Sequence, residues 1–84
     1  MNRYLVLAMR KPGFDPAVME PHHAFLDRLR AQEQLELTGP FTDGSGGAYL
    51  LRAESLEAAL AIVHADPLHV TGSSEMTVRE WNAK

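Results

Sequence analysis

The stretch PHHAFLDRLRAQEQLELTGP, Pro21–Pro40, holds two periodicities side by side. In its first half His22, Phe25, Leu26 and Leu29 recur at steps of three, four and seven, the spacing of one helix face. From its second half into the next residue, Leu35, Leu37, Gly39 and Phe41 alternate with Glu36, Thr38 and Pro40, the spacing of a half-buried strand. Gly39-Pro40 marks its end, because a proline is tolerated at a strand end or edge and not in a central ladder. The stretch is therefore a helix leading into a strand. It carries one anomaly: His22, polar and titratable, shares the apolar face. His23 is rotated from it by roughly 100° and leans towards the flank.

Working outwards, Arg3–Met9 (RYLVLAM) is apolar on both alternating faces, as in a strand covered on both sides. Arg10-Lys11-Pro12-Gly13 punctuates it as a turn. Asp15-Pro16 has the form of a helix N-cap followed by proline in the first turn. Pro21 then implies either a short turn over 16–20 with the main helix starting near Pro21, or a bend there; the helix is expected to run to about Gln34. After the second strand, Asp43-Gly44-Ser45-Gly46-Gly47 is expected to be a flexible hairpin connection. Ala48–Ala53 (AYLLRA) is a third strand. Ser55 caps a second helix, SLEAALAIVHAD, with Leu56, Leu60 and Val63 as its buried stripe. Asp66-Pro67 ends it, a loop passes through Gly72-Ser73-Ser74, and Glu75–Trp81 is the last strand, with Met76 and Val78 alternating against Thr77 and Arg79.

The order β-α-β-β-α-β predicts an α+β, ferredoxin-like sandwich in a single domain, 1–84, with the first and third strands at the sheet centre. Those are the two strands that are apolar on both faces. Two helices cover one face of such a sheet only. The other, expected to carry some of Tyr4, Val6, Ala8, Tyr49, Leu50 and Leu51, calls for a homodimer packed through the sheet face.

Composition narrows the function classes. The 84 residues suffice for one small domain, which buries only about 60–65% of its unfolded surface. A net charge of −3 with scattered lysine and arginine leaves no basic footprint, so nucleic acid is not an expected partner. There is no cysteine, which removes disulfides, thiolate metal sites and cysteine nucleophiles, and fits a cytoplasmic location. The apolar run Tyr4–Met9 is too short for a signal-peptide core or a membrane span. No HxxxH or HxH spacing suggests a metal, and no motif calls for a cofactor. Gly44–Gly47 leads into a strand and not a helix N-terminus, so a phosphate cradle is the poorer reading.

In order along the chain, His22, Phe25-Leu26, Leu29, Gly39-Pro40, Ala65-Asp66-Pro67-Leu68, Gly72 and a terminal Trp81 resemble the YCII-related family. The resemblance covers nearly the whole chain. It implies a ferredoxin-like unit that pairs into a dimeric α+β barrel, with relatives such as muconolactone-isomerase-like proteins and a dehydrochlorinase of a chlorinated hydroxyquinol. It also implies a histidine and an aspartate paired in a pocket. The aspartate falls on Asp66. The histidine falls on His22 by its spacing to Leu26, Leu29 and Gly39-Pro40, whereas the Pro21 register favours His23. Two departures stand out: Glu33 where the family often has glycine, at a helix end, and Leu68 where an aromatic is common, in the pocket wall.

An imidazole held by a carboxylate has a fixed tautomer and a free nitrogen for proton transfer. His22 and Asp66 are thus the candidate catalytic pair, and elimination, isomerisation or hydrolysis of a small cyclic or hydroxylated molecule is the expected chemistry. Arg10, Ser73 and Ser74 are candidate substrate-binding residues. The alternatives are a structurally satisfied buried histidine, and a non-catalytic ligand-binding or interaction module on the same scaffold. His23 is expected to pair with Asp27 on the surface, His64 to compensate the second helix dipole, and His69 to lie in a loop.

Overall fold

The computed structural model describes residues 1–84. Its first strand, β1 (Asn2–Arg10), precedes a 3-10 turn (Pro16–Val18) and helix α1 (Met19–Ala31). Strands β2 (Leu35–Pro40) and β3 (Gly46–Ala53) form a hairpin; helices α2 (Leu56–Val63) and α3 (Pro67–Val70) and strand β4 (Ser74–Glu80) complete the chain. The sheet is antiparallel throughout, in the order β2-β3-β1-β4. The two strands apolar on both faces, β1 and β3, are central, as their pattern requires, and the fold is the expected ferredoxin-like α+β sandwich.

Of the two alternatives at Pro21 the first holds: a short turn precedes the helix, which starts at Met19, two residues before the proline. Asp15 caps the 3-10 turn, accepting from the Ala17 N–H, and α1 follows directly with Pro21 in its first turn. Backbone N–H groups there have no intrahelical partner, so the missing donor removes nothing. The buried residues of α1 are His22, Phe25, Leu26 and Leu29, the stripe set by the periodicity. The helix stops at Ala31, short of Gln34, because Glu33 takes a left-handed conformation at φ 61°.

Parity sorts the sheet. Tyr4, Val6, Tyr49, Leu51 and Ala53 face the helices and share one core with Phe25, Leu26, Leu29, Ala59 and Val63. The open face therefore carries the intervening residues Leu5, Leu7, Met9, Leu37, Ala48 and Leu50, and not the Tyr4, Val6, Ala8 set. Leu37 is 69% exposed there.

Three expectations about local structure change. Gly46 and Gly47 belong to β3 and not to a flexible connection. A Cβ on Gly46 (φ 156°) would lie 2.0 Å from the Ala8 carbonyl oxygen, and one on Gly47 would lie 2.7 Å from that of Gly39. Only glycine lets the three backbones approach this closely. The buried residues of α2 are Ala59 and Val63, flanked by Ala58 and Ile62, while Leu56 is exposed and Leu60 half-buried. Small residues let this helix lie close to the sheet, which rotates its leucines outwards. Finally, Asp66-Pro67 opens the short helix α3, with Asp66 as N-cap and Pro67 in its first turn, and not a loop. This is the same device that Asp15-Pro16 provides.

Candidate functional site

Asp66 lies between the end of α2 and the start of α3 and is fully buried. Its oxygens are occupied from three sides. Oδ1 accepts from the Leu68 N–H, the cap bond of α3, at 2.9 Å. The same oxygen is 2.9 Å from Nδ1 of His22 on α1. Oδ2 accepts from the Tyr49 hydroxyl on β3 at 3.0 Å. Three elements distant in sequence thus converge on one carboxylate. Because a carboxylate only accepts, Nδ1 is the ring nitrogen that carries a hydrogen towards it.

That assignment leaves Nε2 of His22 as the basic nitrogen of the neutral ring. No buried side-chain nitrogen or oxygen lacks a hydrogen-bond partner. Nε2 makes no bond within the chain, so it reaches accessible space, and the ring lines a cleft of about 290 Å³. The sheet side of this cleft is Ala8, Gly47, Ala48 and Tyr49; α1 contributes Met19, His22, His23 and Leu26; Leu68 and Phe14 close the ends. Burial first, and the adjacent Asp66 carboxylate second, push the Tyr49 hydroxyl far above its ordinary range. Tyr49 therefore remains a donor to Asp66 at any working pH.

His22 and Asp66 are together, within hydrogen-bond reach, at the wall of an open cleft. Arg10 and Ser74 also line it, Ser74 buried and Arg10 exposed with its guanidinium carbon 4.4 Å from the Phe14 ring centroid. Ser73 does not. It borders a separate depression with Pro12, Gly13, Pro21 and Gly72, and its hydroxyl bonds to that of Thr71. The chain turns sharply through Gly72 (φ 71°), and successive residues of an extended segment point oppositely. His23 is exposed, but it borders the cleft beside His22, ring centroids 5.8 Å apart, and makes no ion pair with Asp27. Away from the cleft, His64 stacks on His69 at 4.6 Å, and His69 is in α3 and not in a loop. Histidine and carboxylate side chains nowhere gather in a group of three that would hold a metal ion.

Tyr49 is the residue that sequence reasoning missed. In an apolar strand it reads as core. The sequence left open which face of the sheet it takes, and nothing local showed that its hydroxyl meets a carboxylate.

The YCII-related domain matches residues 2–82. The chain belongs to the YCII-related family. A YCII-related chain of this length has a full-length counterpart in the uncharacterized protein YjpA of Bacillus subtilis (strain 168), 50% identical over 84 residues, which are 100% of this chain and 99% of that one. Among solved structures, this YCII-related fold is similar to 5-chloro-2-hydroxyhydroquinone dehydrochlorinase (TftG) of Burkholderia phenoliruptrix AC1100 in complex with 2,5-dihydroxybenzoquinone. The TM-score is 0.79 at 22% identity, covering 98% of this chain and 95% of that one. It is also similar to muconolactone isomerase, with TM-score 0.76, 14% identity, and 98% and 90% of the chains covered. At these identities the likeness is one of fold. No helix is long and apolar enough to cross a membrane.

Proposed function

We propose that this protein is a small cofactor-free enzyme in which His22 acts as general base and acid, oriented by Asp66, on a small cyclic or hydroxylated organic molecule. The observation that carries this is the pairing of Nδ1 with a fully buried carboxylate in an imidazole that lines a cleft. Asp66 fixes the ring and its tautomer. Tyr49 and the Leu68 N–H fix Asp66, so the base is preorganised and a substrate proton meets a nitrogen already placed. With no nucleophilic elbow beside the imidazole, proton abstraction next to a carbonyl, leading to elimination or isomerisation, suits the site better than hydrolysis. Two relatives by fold bear names of that chemistry, a dehydrochlorinase and an isomerase. Ser74, buried in the cleft wall, is a hydrogen-bonding contact for the substrate.

The active species in this proposal is a homodimer packed through the open sheet face, where Leu37 is exposed and Leu5 and Leu7 are half-buried. The absence of cysteine fits its assignment to the cytoplasm.

The test is a panel of hydroxylated quinols and unsaturated lactones incubated in D2O and followed by proton NMR for exchange, isomerisation or loss of halide. The wild-type protein turns over or exchanges a member of the panel. His22→Gln lowers that rate by about 10²–10⁴-fold while the melting temperature shows a folded domain. Ligands that bind at the cleft but never exchange or react would instead make the protein a binding module.

A further inference from the structure

The chain has 11 acidic against 8 basic side chains, yet the cleft is lined by no aspartate or glutamate. Asp66 stands behind its wall, fully buried, with both oxygens already accepting. The one permanently charged group on the lining is Arg10, the last residue of β1. It has no carboxylate partner. The ion pairs of the molecule are Arg3–Glu36, Arg52–Glu36 and His22–Asp66. It is nevertheless held in place, because its guanidinium stacks on Phe14, itself half-buried and part of the same lining. Stacking uses the face of the guanidinium and leaves its in-plane N–H donors free.

We propose that the cleft takes a small organic carboxylate, with Arg10 as its anion-binding group, an assignment that rests on the cleft being the ligand site. The planar fork of Arg10 matches a carboxylate with two parallel hydrogen bonds. Directly across the β1–β4 ladder, Ser74 places a hydroxyl on the same lining. Ala8, Met19, Leu26 and Leu68 give the body of the ligand an apolar surface. One cation, with no lysine beside it, matches a single negative charge better than a phosphate dianion. The volume of about 290 Å³ has room for a small organic molecule. With the carboxylate on Arg10, the rest of such a molecule extends towards His22, so Arg10 would select and orient the substrate and His22 would move the proton.

The test uses three ring compounds of one shape: benzoate, the neutral benzamide and the cationic benzylammonium. Each is titrated into the 15N-labelled protein and followed at the Gly47 and Ala48 amides. The expected result is saturable shifts with benzoate, weakened by added salt, and affinity for benzamide and benzylammonium lower by about tenfold or more. Arg10→Gln lowers benzoate affinity by about the same factor and leaves benzamide unchanged, with the rest of the spectrum superimposable on wild type. Equal affinity for benzoate and benzamide, or an Arg10→Gln variant that binds benzoate normally, overturns the anion assignment while keeping the cleft as a ligand site. If none of the three compounds shifts the cleft amides, both the assignment and the ligand-site reading fall.

Discussion

Replacing Tyr49 by Phe removes one oxygen and leaves the ring, so the loss can be traced to a single bond. The Tyr49 hydroxyl is the donor to Oδ2 of Asp66, a side chain with no solvent exposure. Without it Oδ2 is a buried acceptor with no partner. A hydrogen bond to a charged group is worth about 1.5–3 kcal/mol, and no water replaces the donor at a site this closed. Since a domain of this size is stable by roughly 4–12 kcal/mol, the variant should remain folded but lose a sizeable fraction of its stability. At about 4–8 °C per kcal/mol, its melting temperature should fall by about 6–24 °C. The pH dependence gives a second, independent signature. Burial and Asp66 raise the Tyr49 hydroxyl above its unfolded value, so the folded state holds this proton when the unfolded state has released it. Its contribution is complete below about pH 10, the unfolded value, and is lost as pH rises beyond it, at about 1.4 kcal/mol per pH unit. The stability gap between wild type and Tyr49→Phe should therefore be constant through neutral pH and close at alkaline pH. Urea denaturation of both proteins between neutral pH and pH 11 measures it. A variant as stable as wild type at neutral pH, or a gap that does not narrow in alkali, would refute the geometry.

Other consequences are open to direct measurement. Asp66→Asn keeps an oxygen at Oδ1 for both the Leu68 N–H and the Nδ1–H of His22 but turns its amide NH2 towards the Tyr49 hydroxyl, which must then accept; the 15N shifts of the imidazole should keep the Nδ1–H pattern, and stability should drop by about 1.5–3 kcal/mol. A wild-type spectrum showing Nε2–H would contradict the assigned tautomer. Glu33→Gly should raise the melting temperature, because a left-handed residue with a side chain is strained by roughly 1–2 kcal/mol, of which glycine's greater unfolded freedom cancels part; no gain, or a loss, would show that Glu33 is compensated elsewhere. Leu37→Glu, exposed on the open sheet face, should convert the proposed dimer to monomer in light scattering, and a wild-type protein monomeric at micromolar concentration would remove the dimer outright.

The element order, the central position of β1 and β3 and the inward direction of His22 were legible in the sequence, because each follows from the repeat of an apolar pattern within one element. The Asp66-Pro67 pair was read as the end of α2: it has the same form as Asp15-Pro16, which was recognised as a cap, but a four-residue helix leaves no periodicity of its own. The stripe of α2 was misassigned because size and not hydrophobicity governs it; alanines win the close approach to the sheet that leucines would block.

What the chain determines locally is therefore which way each side chain of a periodic element points: His22 inwards, His23 to the flank. What only the tertiary structure decides is what they meet. Oδ1 of Asp66 reaches an imidazole 44 positions away and Oδ2 a hydroxyl 17 positions away. No sequence period spans those separations. They are set when α1 and α3 close over β3, and the paired glycines of β3 bring three backbones close together beside the cleft. Arg10 is the same case: an exposed arginine at a strand end by sequence, and the sole permanent charge on a carboxylate-free cleft once the fold has sorted the acidic side chains elsewhere.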